Sequence, residues 1–183
     1  MQVHEQPDSE LVRQIGASDA AAFDELMRRY KRPVVNFVYR LLGSAEDAQD
    51  IAQDVFIRVY QNIDTYRPET KFSTWLFALA RNAAIDRLRW RKRHPTEPLE
   101  SAPQLMASSG TAEQVAAREI GEEIATAVAK LPEDQRVALV LSEYHGLSYA
   151  EIAGVMRCSE KSVESRLYRA KQTLRGWLGH LFE

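Results

Sequence analysis

Between positions 81 and 93 the chain sets Arg81, Arg87, Arg89, Arg91, Lys92 and Arg93 against one acid, Asp86. Such a run makes and breaks no bonds. It neutralises a polyanion, and fixed guanidinium forks suit the phosphates of a nucleic acid. A second cationic set lies near the other end: Lys161, Arg166, Arg169, Lys171 and Arg175, with Ser162, Ser165 and Tyr168 among them. Hydroxyls and cations at helical spacing suit base edges and phosphates in a major groove. A third set has the opposite sign. Glu46, Asp47, Asp50 and Asp54, with Gln53 and Arg58, cluster within three turns of a helical pattern. By themselves these acids read as solubilising charge; a docking face for a basic partner is the alternative.

Other chemistries lack their residues. His4, His94, His145 and His180 are scattered and Cys158 is the one cysteine, so no metal-ligand spacing occurs and no metal or cofactor is expected. There is no nucleophile elbow and no phosphate loop, which leaves an enzyme unsupported. The net charge of −2 means that nucleic-acid affinity must come from local clusters. A hydrophobic content of 45% is that of a foldable globular chain. A lone cysteine fits a reducing cytoplasm. The polar, acidic start MQVHEQPDSE is unlike a signal peptide, and no apolar run reaches membrane-spanning length, so a cytoplasmic protein without membrane insertion is expected.

The elements that must position these groups read almost entirely as helix. Asp8 or Ser9 caps a short one that closes at Gly16, and Ser18 or Asp19 opens the next. Pro33 is expected to kink or restart that second helix, whose apolar stripe (Val34, Phe37, Val38, Leu41) runs to Gly43. Ser44 starts the acidic helix, with Ala48, Ile51, Val55 and Val59 inward and Glu46, Asp47, Asp50, Gln53, Asp54 and Arg58 mostly outward. The turn DTYRPETK, with Tyr66, then feeds FSTWLFALARNAAIDRLRWRKR, where Ser73 is the expected cap. Phe72, Trp75, Leu76, Leu79, Ala83 and Trp90 fall on one side of that helix and Phe77, Ala84 and Leu88 roughly opposite. A helix apolar on two sides is wedged between neighbours, so its root reads as core and its end as a cationic probe. Tyr66 beside it could stack on an unpaired base or cover the core edge.

After Arg93 the composition changes. Pro95, Pro98, Pro103, Ser108, Ser109 and Gly110 mark a flexible linker, in which Leu99, Leu105 and Met106 have no assigned place. Thr111 starts a second helical part that pauses at Pro132 and stops at His145-Gly146. Ser148 and Glu151 then form a capping box. Arg157-Cys158-Ser159 make a three-residue turn, and Ile152, Ala153, Met156, Val163 and Leu167 give the inward pattern of a helix-turn-helix.

The stretches SAEDAQDIAQDVFIRVYQNI, KFSTWLFALARNAAIDRL and LPEDQRVALVLSEYHGLSYAEIAGVM, followed by CSEKSVESRLYRAK, resemble the bacterial RNA polymerase sigma factors of the extracytoplasmic-function (ECF) group, in order and in spacing. The resemblance implies an all-α protein of two helical domains, a sigma-2-like bundle over 1–94 and a sigma-4-like helix-turn-helix over 112–183, joined by a flexible linker at 95–111. It implies that Asp50, Gln53, Asp54 and Arg58 bind the clamp helices of the largest subunit of core RNA polymerase. By position in the family, Tyr66, Ser73, Leu79, Asn82 and Asp86 serve the −10 promoter element and its flipped base, with Arg87, Arg89, Arg91 and Arg93 on phosphates. Lys161, Ser162, Glu164, Ser165, Arg166, Arg169 and Lys171 serve the −35 element. An apolar groove of the second module holds the polymerase flap tip, and an anti-sigma factor is a candidate further partner.

Two positions depart from the commoner family pattern. Arg157 stands in the turn where Gly is frequent, and Glu164 stands at a base-facing position where Lys or Arg is frequent. A carboxylate there disfavours phosphate and can accept from a cytosine amino group. Cys158 beside the core reads as a small buried apolar residue in preference to a redox switch. The alternative function is a two-module DNA-binding regulator that ignores polymerase; it would have no use for the acidic helix or the aromatic loop.

Overall fold

The computed structural model describes residues 6–17, 19–94 and 112–182, without the side chains of 112–116 and 182. Ser18, Leu99, Leu105, Met106 and Thr111 therefore lie outside the described residues, as does the linker expected at 95–111. Among the described residues the chain is helical throughout, with no strand. The order is α1 (Asp8–Gly16), α2 (Ala20–Leu42), α3 (Ala45–Gln61), a 3-10 turn (Ile63–Thr65), α4 (Phe72–Arg93), α5 (Ala112–Lys130), α6 (Glu133–Glu143), α7 (Tyr149–Met156), α8 (Glu160–Leu178) and a closing 3-10 turn (Gly179–Phe182).

Helices α1 to α4 form a bundle in which α2 packs against α1, α3 and α4. Its core holds Leu11, Leu26, Val34, Phe37, Val55 and Leu76, all essentially inaccessible. Asp19 caps α2, accepting from the Ala21 and Ala22 amides. Gly43, at φ 70°, stops it in the left-handed conformation that glycine adopts without a Cβ clash. Pro33 does not restart α2, which is one helix from Ala20 to Leu42. Leu26 on one side of the proline and Val34, Phe37 and Val38 on the other are buried in one core, and that burial outweighs one lost amide bond.

Two expected caps are displaced. Pro7, not Asp8 or Ser9, precedes α1. The Asp8 carboxylate reaches across to Arg29 Nη1 at 2.9 Å and accepts from the Tyr30 hydroxyl. Helix α4 begins one residue before Ser73, with Lys71 at the cap position and no side-chain capping bond. Ser73 is thus inside the first turn; burial of Phe72, against the Tyr30 ring with centroids 5.4 Å apart, sets the start.

Helices α5 to α8 form the second module. The end of α6 follows the sequence reading. Gly146 has φ 63°, and the Leu147 amide bonds back to the Leu141 carbonyl at 3.1 Å. The capping box is formed: Ser148 Oγ accepts from the Glu151 amide and Glu151 Oε2 accepts from the Ser148 amide at 2.8 Å. Ser159 caps α8, and Ile152, Val163 and Leu167 lock α7 and α8 together. Arg157 occupies the turn at φ 52°, the one non-glycine residue with positive φ among those described.

Candidate nucleic-acid interface

Helix α4 is wedged as its two apolar sides require. It packs against α2 and α3 of the first bundle and against α7 of the second module. Phe77, from the opposite side, meets Phe37 with ring centroids 5.3 Å apart. This anchorage leaves the outer half of α4 projecting. Asn82, Asp86, Arg89, Lys92 and Arg93 are exposed there, and Asp86, Arg89, Lys92 and Arg93 line one shallow concavity.

The structure divides the sequence-predicted α4 residues into two groups. Leu79, Asn82 and Asp86 recur at intervals of three and four, so they share a face. Leu79 is half-buried at its root, while Asn82 and Asp86 stand in solvent. Arg89 is 4.0 Å from Asp86 and otherwise open, and Arg93 Nε donates to the Arg89 carbonyl at 3.4 Å. Arg87 and Arg91 are spent differently. Both reach Asp47 on α3: Arg87 Nη1 at 3.2 Å from Oδ1, and Arg91 Nη2 on Oδ2. Arg91 Nη1 also donates to the Leu42 carbonyl at 3.1 Å.

Asp47, expected to face outward with the other acids, is instead buried at 8% exposure. It lies three residues after the Ser44 cap, next to inward Ala48, where two arginines from α4 make burial of a carboxylate tolerable. Nothing in a local pattern shows such a pairing across forty residues or more.

Tyr66 is half-buried on the aromatic edge of the core. Its ring lies 5.6 Å from that of Trp75 and 5.9 Å from that of Phe72, and its hydroxyl donates to the Thr70 carbonyl at 2.6 Å. Ser73 is half-buried beside this cluster. Trp90, placed by periodicity with the core side, is 46% exposed; it stacks on His94 with centroids 4.9 Å apart, near the Arg87 guanidinium.

On the outer face of α3, Asp50, Gln53, Asp54 and Arg58 are all exposed. Beside them sit two apolar residues that the sequence reading passed over, Ile57 at 46% and Tyr60 at 58% exposure. They edge a groove between α2 and α3 floored by Phe23, Met27 and Phe56. Their signal was present: neither falls on the inward stripe of Ile51, Val55 and Val59.

In the second module α8 presents Lys161, Glu164, Ser165 and Arg169 outward, with Tyr168 at 65% exposure between them. Ser165 Oγ bonds back to the Lys161 carbonyl at 3.0 Å. Arg166 and Lys171 are engaged within the fold. Arg166 donates to Asp134 Oδ2 at 2.8 Å, to Cys158 Sγ at 3.1 Å and to Ser162 Oγ at 2.6 Å, and it is raised above the usual guanidinium range chiefly by the Asp134 bond. Lys171 Nζ lies 2.9 Å from Glu143 Oε1. Cys158 is half-buried, in keeping with a small packing residue. No group of His, Cys, Asp and Glu among the described residues could hold a metal ion, and no helix among them is long and apolar enough to cross a membrane.

Two sequence families match the two modules. Sigma-70 region 2 covers residues 26–94, and Sigma-70 region 4 covers residues 121–174. The chain is 34% identical over 179 residues to the RNA polymerase sigma-H factor of Pseudomonas aeruginosa, covering 93% of each chain. The chain belongs to the ECF group of RNA polymerase sigma factors. It is also 34% identical to the ECF sigma factor SigW of Bacillus subtilis, over 93% of this chain and 96% of that one. Among solved structures, CnrH in complex with the cytosolic domain of CnrY is similar at 25% identity and a TM-score of 0.73, over 94% of this sigma factor and 97% of that chain. The all-α fold of two helical modules expected from the resemblance is the fold found.

Proposed function

We propose that this sigma factor binds core RNA polymerase through α3, reads and melts the −10 element with α4, and reads the −35 element with α8. The observation that carries the reading is the arrangement of the first module. An exposed acidic face on α3 and an exposed polar and basic end on α4 are built into one buried core. Asp50, Gln53, Asp54 and Arg58 meet the clamp helices of the polymerase, and Ile57 and Tyr60 add apolar contact beside them. Asn82 and Asp86 read an unstacked base at the foot of which Leu79 packs. Arg89 and Arg93 hold phosphates, while Arg87 and Arg91 hold α4 in place. Unstacking a base costs a few kcal/mol, roughly, and is offset when a rigid surface binds the flipped base better than the stacked one. No bond is made, so the protein is a binding factor and not an enzyme, and it acts in the cytoplasm with the polymerase. In the second module Lys161, Glu164, Ser165 and Arg169 face the −35 groove. Residues 1–94 and 112–183 are the two functional domains and 95–111 joins them.

Transcription from a promoter pool by purified core polymerase tests the reading. Added protein is expected to give specific start sites, and Asp50→Lys with Asp54→Lys to abolish polymerase binding while helical content is kept. Retained binding in that variant would remove α3 as the docking face. A regulator of the alternative kind would bind duplex DNA alone and leave the polymerase unchanged.

A further inference from the structure

Trp90 is the large residue of α4 that neither the core nor the functional reading above uses. It is 46% exposed, whereas Phe72, Leu76, Phe77 and Ile85 of the same helix are buried. An indole has more apolar area to bury than most side chains, so leaving it half in water forgoes much of what burial would contribute. Its place on the helix is that of the exposed polar residues. Leu79, Asn82, Asp86, Trp90 and Arg93 follow one another at intervals of three and four, so Trp90 shares the face of Asn82 and Asp86, one turn further out. Four residues at 1.5 Å each put it about 6 Å beyond Asp86 along the axis.

The ring is also braced. His94 stacks on it with planes 23° apart and centroids 4.9 Å apart, and His94 Nδ1 donates to the Trp90 carbonyl at 3.0 Å. The Arg87 guanidinium lies 5.8 Å from the ring centre and is itself tied to Asp47 on α3 at 3.2 Å. The indole thus has one support a turn before it and another a turn after it, and the smaller imidazole leaves part of it open to solvent. Arg89, Lys92 and Arg93, all within three residues of it, are exposed. An open, braced aromatic ring inside a cationic patch is the arrangement that binds unpaired bases: the cations follow the phosphates and the ring takes the face of a base.

We propose that Trp90, braced by His94 and Arg87, is a stacking platform for a second unpaired base of the melted promoter strand, one or two nucleotides from the base that Asn82 and Asp86 read. The proposal rests on the functional reading above. The spacing fits, since 6 Å spans about two stacked nucleotides at 3.4 Å each, or about one where the strand is drawn out. Within an intact duplex the base faces are covered by their neighbours, so the indole gains this contact only when the strands part, and a contact made in one state alone shifts the balance toward that state. Every base has a π-face, so the platform favours the open strand without choosing its sequence. Asn82 and Asp86 choose, and Trp90 retains.

The test uses the full chain and a fluorescein-labelled single strand from the −10 region of a promoter found in the transcription pool. Trp90→Ala is expected to weaken binding roughly fivefold or more, and Trp90→Phe to recover most of that loss. The salt slope should stay as in the wild type, because no phosphate contact is removed. Since Trp90→Ala could loosen the end of α4, the strand is also made with one abasic site at a time, which alters the DNA and leaves the protein intact. With the wild type, one abasic position next to the flipped base or one nucleotide beyond it should cost about as much as Trp90→Ala. With Trp90→Ala the same abasic position should cost nothing more. Equal binding by wild type and Trp90→Ala, or an abasic loss that persists undiminished in Trp90→Ala, overturns the platform and leaves the functional reading standing. If the pool yields no specific start site, the functional reading fails and the platform falls with it.

Discussion

Asp47→Ala is the substitution that best separates scaffold from interface. Among the described residues the Asp47 carboxylate is the only acid set against Arg87 and Arg91, and it fastens the basic end of α4 to the start of α3. Truncating one partner of a fully buried pair costs about 3–5 kcal/mol, whereas an exposed pair contributes about 0–1. Here the acid is buried but the two arginine side chains are 36% and 40% exposed, so water replaces part of what they lose. The expected destabilisation is ~2 kcal/mol. For a chain of this size that lowers the melting temperature by roughly 4–8 °C. Urea unfolding followed by circular dichroism measures it, with the exposed Asp50→Ala as a control expected within about 0.5 kcal/mol of wild type. A double-mutant cycle with Arg91→Ala should return a coupling above about 0.5 kcal/mol. Additive effects, or a loss below that figure for Asp47→Ala, would refute the assignment of these arginines to the scaffold. The DNA side gives a second check. Arg89→Ala and Arg93→Ala should each flatten the salt dependence of single-strand binding by about 0.7 in log–log slope, while Arg91→Ala should leave the slope unchanged.

Three further outcomes follow from single sites. Glu164→Ala should relax a preference for cytosine in the −35 element by about 1–3 kcal/mol at one position; an unchanged profile in a promoter library would remove that contact. Arg157→Gly should stabilise the second module by about 0.5–1 kcal/mol, because a left-handed residue costs about 1–2 kcal/mol and glycine returns part of that in unfolded-chain entropy; an unchanged or lower urea midpoint would count against it. His145 gives a pH response. Burial, and then the charge of Arg40, hold its imidazole down to about 4, against about 6.5 when exposed. The neutral ring is the one that packs. The packing of His145 between Phe37 and Phe77 is therefore at full strength above about pH 6.5 and weakens as pH falls toward 4, by about tenfold at pH 5.5. Glu151, held down to about 2 chiefly by Lys71, stays ionised through that window. The urea midpoint should fall from pH 7.5 to 5 by more in the wild type than in His145→Phe; an equal fall in both would count against it.

The helices, the capping box and the three-residue turn were legible because their causes are local. Ser148 and Glu151 satisfy backbone groups three residues apart, and Gly43 and Gly146 stop helices by their own φ. The double apolar face of α4 announced neighbours on more than one side, but not that one of them would be α7. What failed was non-local. Asp47 and Arg91 are forty-four residues apart, and a carboxylate among other carboxylates carries no mark of the arginines it will meet. The stop at His145-Gly146 was read correctly, but the packing of His145 was not legible, because its partners Phe37 and Phe77 belong to another module. Ser73 had the chemistry of a cap and lost the position to the burial of Phe72. Within α8 the cations looked equivalent, yet Arg166 and Lys171 have acids on α6 within 3 Å while Lys161 and Arg169 face solvent.

The two oxygens of Glu151 serve different masters. Oε2 accepts from the Ser148 amide and hydroxyl and so belongs to the first turn of α7, while Oε1 holds Lys71 of the other module. Losing the lysine leaves the cap in place. The first turn of α7 is therefore capped whether or not Lys71 is in place, and the contact between the modules can be varied without touching the helix-turn-helix itself.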